Sequence, residues 1–449
     1  MNQATNKAQK KAKKKARRGT ADPRSPETAP MRLGPRPLPL HLAIATAACM
    51  SSPSALPHLK SGSMRWNGGL ADQAHGLEKA LAPILENASP DAFEHAVLAA
   101  GADRLKRFMT AVMAYRRHPY RRALADPPIL WREGATKVFD YGARPGTGDG
   151  RPVLVVPSLI NRAYVLDLAP GRSLVRFLAE QGFRPLLVDW GTPGAEEEPL
   201  DLDDYIAGRL SRALDAAIEA SGGQHPALVG YCMGGLLTLA LAGLRPNDVT
   251  GLALLATPWD FHADGGAQAR AIAAVMAPMQ PLFEATGMIP VDVLQTLFAS
   301  LDPCLALRKF LAFDRFAPDS DKAEIFVALE DWLNDGVALP ARVGRDCLMG
   351  WYGENRPGNG TWTVAGRAVR PEAVNTPTFV VVPGNDRIVP PPSAMALADA
   401  IPHAECVRPR AGHIGMVVGG GAKRALWQPL ADWLSRLEPD RMARGSLAR

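Results

Sequence analysis

Cysteine is scarce in this chain: there are five in 449 residues, Cys49, Cys232, Cys304, Cys347 and Cys406. No two form a C-x-x-C pair, no Cys/His spacing suits zinc, and the odd count argues against a disulfide framework. A reducing compartment fits best, so a cytoplasmic location and no metal are expected. Long hydrophobic runs are lacking as well. Leu38 to Met50 is interrupted by Pro39 and His41 and falls short of the roughly 20 apolar residues that cross a bilayer. The basic region upstream is too long and too distant for a secretory signal. The phosphate-cradling pattern G-x-x-x-x-G-K-[ST] is absent, and residues 1–18 contain no acid. That last absence locates the net charge of +6. Eight of the 51 Lys and Arg lie in residues 1–18, which leaves 43 basic against 45 acidic residues elsewhere. The body is therefore near neutral, and the tail alone suits nucleic acid, anionic lipid or an acidic protein as a partner, or else serves as a solvated, solubilising arm.

What is present reads as an ordinary globular composition, 47% hydrophobic and 21% charged, with one α/β domain and a large insertion. Residues 1–37, rich in Lys, Ala, Arg and Pro, are expected to be a disordered basic tail. Residues 38–115 form an N-terminal linker and helical region: Pro, Ser and Gly mark 38–72, and apolar positions such as Leu77, Leu81, Phe93 and Val97 then recur at helical spacing. From 116 to 258 near-continuous apolar strands alternate with helices, the pattern of a mostly parallel sheet covered on both faces. The alternation stops at Trp259 and resumes at Thr376. The intervening 259–375, rich in Met, Phe and Trp, are expected to form a helical cap over the carboxyl ends of the strands. Residues 376–438 complete the core, and 439–449 are a C-terminal tail.

The stretch ALVGYCMGGLLTLALAG, residues 227–243, reads as strand, sharp turn and helix. Gly230, Cys232 and Gly234 match the G-x-S-x-G nucleophile elbow with sulfur in place of oxygen. By itself the motif would also suit a phosphate-binding turn or a buried cysteine. A nucleophile needs a base and the base an orienting acid. His413, between glycines just after the last strand, and Asp386, on a turn after a strand, supply both types. The order Cys232, Asp386, His413 is that of α/β-hydrolases. An oxyanion hole is expected from the backbone N–H of Met233 with that of Leu159 or Ile160. His262, shortly after the strand ending at Pro258, suits a hinge of the cap better than a catalytic role.

From about Tyr115 to Leu437 the chain resembles polyhydroxyalkanoate synthases. SLINRAYVLDLAPGRSLVRFLAEQGF, VDWG, DLDDYIAG, GYCMGG, ATPWDF, WLNDG, NDRIVPP and GHIGMVVGG occur in the order of that family. The resemblance implies an α/β-hydrolase fold with a helical cap, and a Cys-Asp-His triad at Cys232, Asp386 and His413. It further implies polymerisation of (R)-3-hydroxyacyl-CoA with release of CoA, CoA thioester being the substrate and no cofactor needed. Expected partners are the growing polyester chain and its granule surface, with a homodimer or a second synthase subunit besides. In this chain Arg387 follows the acid, where family members often carry histidine. A thioesterase or polyester depolymerase on the same scaffold, and a granule- or nucleic-acid-associated binding protein, are the competing readings.

Overall fold

The computed structural model describes residues 32–66, 68–87, 89–142 and 150–438; the basic run 1–31 and the C-terminal tail 439–449 lie outside the described residues. Helix α1 is Leu38–Met50, α2 is Ser52–Lys60 and α3 is Pro90–Arg117. Prolines stand in the first turn of all three, where a missing N–H leaves no helical bond unmade. The Ser89 hydroxyl caps α3 by accepting from the Ala92 amide at 3.2 Å, a local N-cap that fixes where the helix begins. Leu33 and Gly34, within the expected tail 1–37, are held by α3. Arg116 of α3 donates to the carbonyls of Leu33 and Gly34 at 2.8 and 2.9 Å. That proline-rich segment is held through its backbone, so its composition carried no sign of it.

The central sheet has eight strands: β1 Ile129–Glu133, β2 Thr136–Asp140, β3 Arg151–Val156, β4 Phe183–Asp189, β5 Ala227–Tyr231, β6 Gly251–Leu255, β7 Thr378–Val381 and β8 Glu405–Val407. They run in the order β1-β2-β4-β3-β5-β6-β7-β8. β1, β2 and β4 pair antiparallel, and every pairing from β4 through β8 is parallel. Both faces are buried: Val153 and Val155 enter one core, Leu154 and Val156 the other. This is why these strands read as continuous apolar runs rather than alternating ones. Helix α4, Met233–Leu244, follows β5 directly.

Between β6 and β7 the chain leaves the sheet for a set of helices that includes α5, Leu305–Phe313, and α6, Asp321–Asn334. α5 and α6 share a small core of their own with α1 and α3, built on Phe108, Tyr115, Phe310 and Val327. Phe108 and Phe310 meet edge to face with ring centroids 5.9 Å apart, the arrangement that aromatic quadrupoles favour. The N-terminal helices are thus clamped to the insertion. No helix among the described residues is long and apolar enough to cross a membrane.

Candidate active site

β5 delivers Cys232 at its carboxyl end with φ 57° and ψ −126°, a conformation that costs a non-glycine residue about 1–3 kcal/mol unless its surroundings hold it. They do so here. The Cys232 amide donates to the Leu255 carbonyl at 2.8 Å, and the Gly235 amide donates to the Cys232 carbonyl at 2.9 Å. The flanking glycines make the turn sterically feasible. A Cβ on Gly234 would collide with the Val156 carbonyl at the end of β3, and one on Gly235 with Thr257. Cys232 remains half-buried on the cavity side of the turn.

The loops after β7 and β8 bring in the other two groups. They are registered by backbone bonds from Gly384 to Pro409 at 2.9 Å and from Asn385 to Ala411 at 3.0 Å. Asp386 Oδ1 accepts from the amides of Ile388 and Val389 at 2.8 and 2.9 Å. Its Oδ2 lies 2.7 Å from His413 Nδ1. A carboxylate so engaged accepts, so Nδ1 carries the hydrogen and the far side of the ring is free to meet the thiol. His413 and Cys232 both line one cavity. Both His413 and Asp386 are buried. Burial by itself would lower the His413 pKa. The negative charge of a Cys232 thiolate and the hydrogen bond and charge of Asp386 outweigh it and push the value up to about 10. An imidazole held in this way can take a thiol proton and return it to a leaving group.

The triad opens into a cavity of about 760 Å³, within the size range that encloses small-molecule ligands. Phe261, Ile272, Trp351 and Tyr352 of the insertion line it together with Cys232. The remaining expected site residues fall differently. Met233 lines the cavity and, as the first residue of α4, has an N–H that no earlier helical turn can take up. Ile160 also lines the cavity, with its amide donating to Ser158 Oγ at 3.2 Å. Leu159 is buried in the core. His262 stands at the base of the insertion, where its Nε2 meets the Tyr352 carbonyl at 2.9 Å. Among the described residues no group of three or more His, Cys, Asp or Glu is placed to hold a metal.

A family model described as alpha/beta hydrolase fold matches residues 151–419, and one described as poly-beta-hydroxybutyrate polymerase (PhaC) N-terminus matches residues 120–178. A poly(3-hydroxyalkanoate) polymerase subunit PhaC of Synechocystis is 32% identical, over 63% of this chain and 77% of that protein. The chain belongs to the PhaC family. The PhaC of Haloferax mediterranei is 30% identical over 68% of this chain and 63% of the relative. That of Allochromatium vinosum is 29% identical over 68% and 87%. This PhaC family member therefore matches under two thirds of the Haloferax protein's length and most of the Allochromatium protein's.

Several cavity residues gave no signal in the sequence. Tyr352 lies in an aromatic stretch of the insertion, and Pro35, Arg36 and His41 come from the N-terminal segment. Contact between Arg36 and Asn334 spans 298 residues, beyond the reach of any local pattern.

Proposed function

We propose that this chain transfers (R)-3-hydroxyacyl groups from CoA thioesters onto Cys232 and then onto hydroxyl acceptors, building a polyhydroxyalkanoate and releasing CoA. The observation that carries this reading is a cysteine, in place of serine, on the elbow of a Cys-Asp-His relay in a PhaC family member. Cys232 sulfur attacks the thioester carbonyl carbon. The C–S bond to CoA breaks, and the CoA sulfur leaves with the proton that His413 took from the Cys232 thiol. Exchange of one thioester for another is close to neutral in energy. In the second step a hydroxyl oxygen attacks the acyl carbon on Cys232, His413 accepts the hydroxyl proton, and the sulfur departs. An oxygen ester forms from a thioester, so this step is downhill. The Met233 amide is the first candidate to steady the oxyanion in both steps, and the loop of Leu159 and Ile160 the second. Asp386 keeps the imidazole in the tautomer and orientation both transfers need.

On this reading the partners are the acyl-CoA, the growing polyester and the granule surface that the polyester forms. The test is to incubate the protein with (R)-3-hydroxybutyryl-CoA while following free thiol, free acid and polymer together. Polymer formed with stoichiometric CoA supports the proposal; free 3-hydroxybutyrate without polymer makes the protein a thioesterase and refutes it.

A further inference from the structure

The chemistry above leaves one wall of the cavity unused. Pro35, Arg36 and His41 reach the same cavity as Cys232, although they precede the PhaC family match, which begins at residue 120. They are firmly placed. Besides the two bonds from Arg116, the Arg36 amide donates to Asn334 Oδ1 at 2.7 Å, and its guanidinium to Asp292 at 2.9 Å.

His41 is the member of this wall whose hydrogen bonding is incomplete. Its Nε2 lies 3.0 Å from the Arg36 carbonyl oxygen. A carbonyl can only accept, so Nε2 carries the hydrogen, and in the neutral ring Nδ1 is a lone-pair acceptor. The neutral form is favoured because burial lowers the His41 pKa against the pull of the Arg36 carbonyl, with nearby Lys309 acting in the same direction as burial. His41 Nδ1 is buried with no hydrogen-bond partner among the described residues, and Asn161 Oδ1, on the same cavity, is in the same condition. The donors nearby are engaged: Gln295 Nε2 with the Leu333 carbonyl at 2.8 Å, Asn334 Nδ2 with the Glu330 carbonyl at 2.6 Å, and Lys309 with the buried Glu330 carboxylate at 2.7 Å. Two residues that line the cavity thus carry buried acceptors without a donor, and such an acceptor costs free energy until a donor reaches it.

We propose that His41 is a specificity-determining residue whose Nδ1 accepts a hydrogen bond from the free hydroxyl of the hydroxyacyl chain bound in the cavity. The inference rests on the acyl-transfer reading. Ester and thioester oxygens only accept, so the free hydroxyl is the one donor that such a chain possesses. It is also the group that distinguishes a hydroxyacyl substrate from an ordinary acyl thioester. A site that pairs a substrate hydroxyl discriminates against the analogue lacking it, because the buried partner is left bare.

The test uses the full chain and CoA thioesters of one, two and three (R)-3-hydroxybutyrate units, each with a free terminal hydroxyl or with that hydroxyl methylated. Transfer to Cys232 is read by CoA release and by intact mass. We expect the free hydroxyl to be preferred in kcat/KM by about tenfold at one of these lengths. His41→Leu should erase the preference while transfer from the methylated thioesters stays within about twofold. His41→Asn, which returns an acceptor near the Nδ1 position, should restore part of it. Transfer by wild type with no hydroxyl preference at any length would overturn the inference alone. So would a preference that survives His41→Leu, or an equal loss with both thioester series in both variants. Absence of any transfer by wild type would instead overturn the acyl-transfer reading, and the inference with it.

Discussion

Arg387 Nη1 donates to Asp302 Oδ2 at 2.7 Å, and this bond joins the turn carrying Asp386 to the cap. The same oxygen accepts from Arg308 at 2.5 Å. The Arg387 side chain is 74% exposed, against 14% for Asp302, so the arginine is an outer latch on the cavity that it lines together with Cys232 and His413.

Removing that latch should therefore be mild. Arg387→Ala is expected to change the unfolding free energy by no more than about 1 kcal/mol, the usual ceiling for an exposed ion pair. It should leave kcat within about threefold, because a guanidinium stays protonated and cannot serve as a base. Asp386→Asn, by contrast, should lower kcat by about 10⁴-fold in a protein that remains folded. Steady-state kinetics on both variants decides: equal losses with unchanged KM would mean that the orienting acid lies elsewhere.

Cys232→Ala should abolish both CoA release and covalent acyl labelling. Peptide mass spectrometry after a short exposure to (R)-3-hydroxybutyryl-CoA checks this. Cys347 is buried on the same cavity, and an acyl group found there, or surviving on the Cys232→Ala protein, would contradict the assignment of Cys232 as nucleophile.

The His413 pKa, raised from 6.5 to about 10, links folding to pH. A group that binds its proton more tightly when folded adds stability that is fully present below its unfolded pKa and is lost as pH rises through the folded one. The stability difference between wild type and His413→Gln should then be largest near pH 6 and shrink toward pH 10. The Cys232 charge is the largest of the raising influences on His413. In a Cys232→Ala background, the difference should accordingly fade at lower pH. Urea unfolding across this range measures it, and a difference that grows with pH would count against the ion-paired triad.

Two glycines of α4 should respond oppositely to alanine. At Gly234 the new Cβ meets the backbone carbonyls of Val156 and Pro157, which cannot swing aside. Gly234→Ala should cost at least about 1–3 kcal/mol, as overpacking does elsewhere, and disrupt the elbow. Gly243 has open space around its Cβ position, so Gly243→Ala should stabilise by up to about 1 kcal/mol through helix propensity. Thermal unfolding of the pair separates a steric requirement from a merely tolerated glycine.

The elbow was legible because its constraint is local. Gly230, Cys232 and Gly234 are small or strained for reasons set within a few residues, and the apolar runs of β3, β5 and β6 announce strands buried on both faces. β1 was not recognised. Its residues are exposed or only half-buried, so Ile129 to Glu133 show neither a continuous apolar run nor a clean alternation, and pairing with β2 makes the strand.

The sequence by itself determined the strands from β2 to β8, the helical insertion and the order Cys232, Asp386, His413, since periodicity and turn chemistry record which side of an element is buried and where the chain must bend. Only the tertiary structure decided that Asp302 of the cap meets Arg387 and that Pro35, Arg36 and His41 wall the cavity. Those contacts are made largely by backbone carbonyls and single polar atoms across as many as 298 residues. A local pattern says that a group will be buried or bonded, while the identity of a distant partner follows from how the packed elements meet.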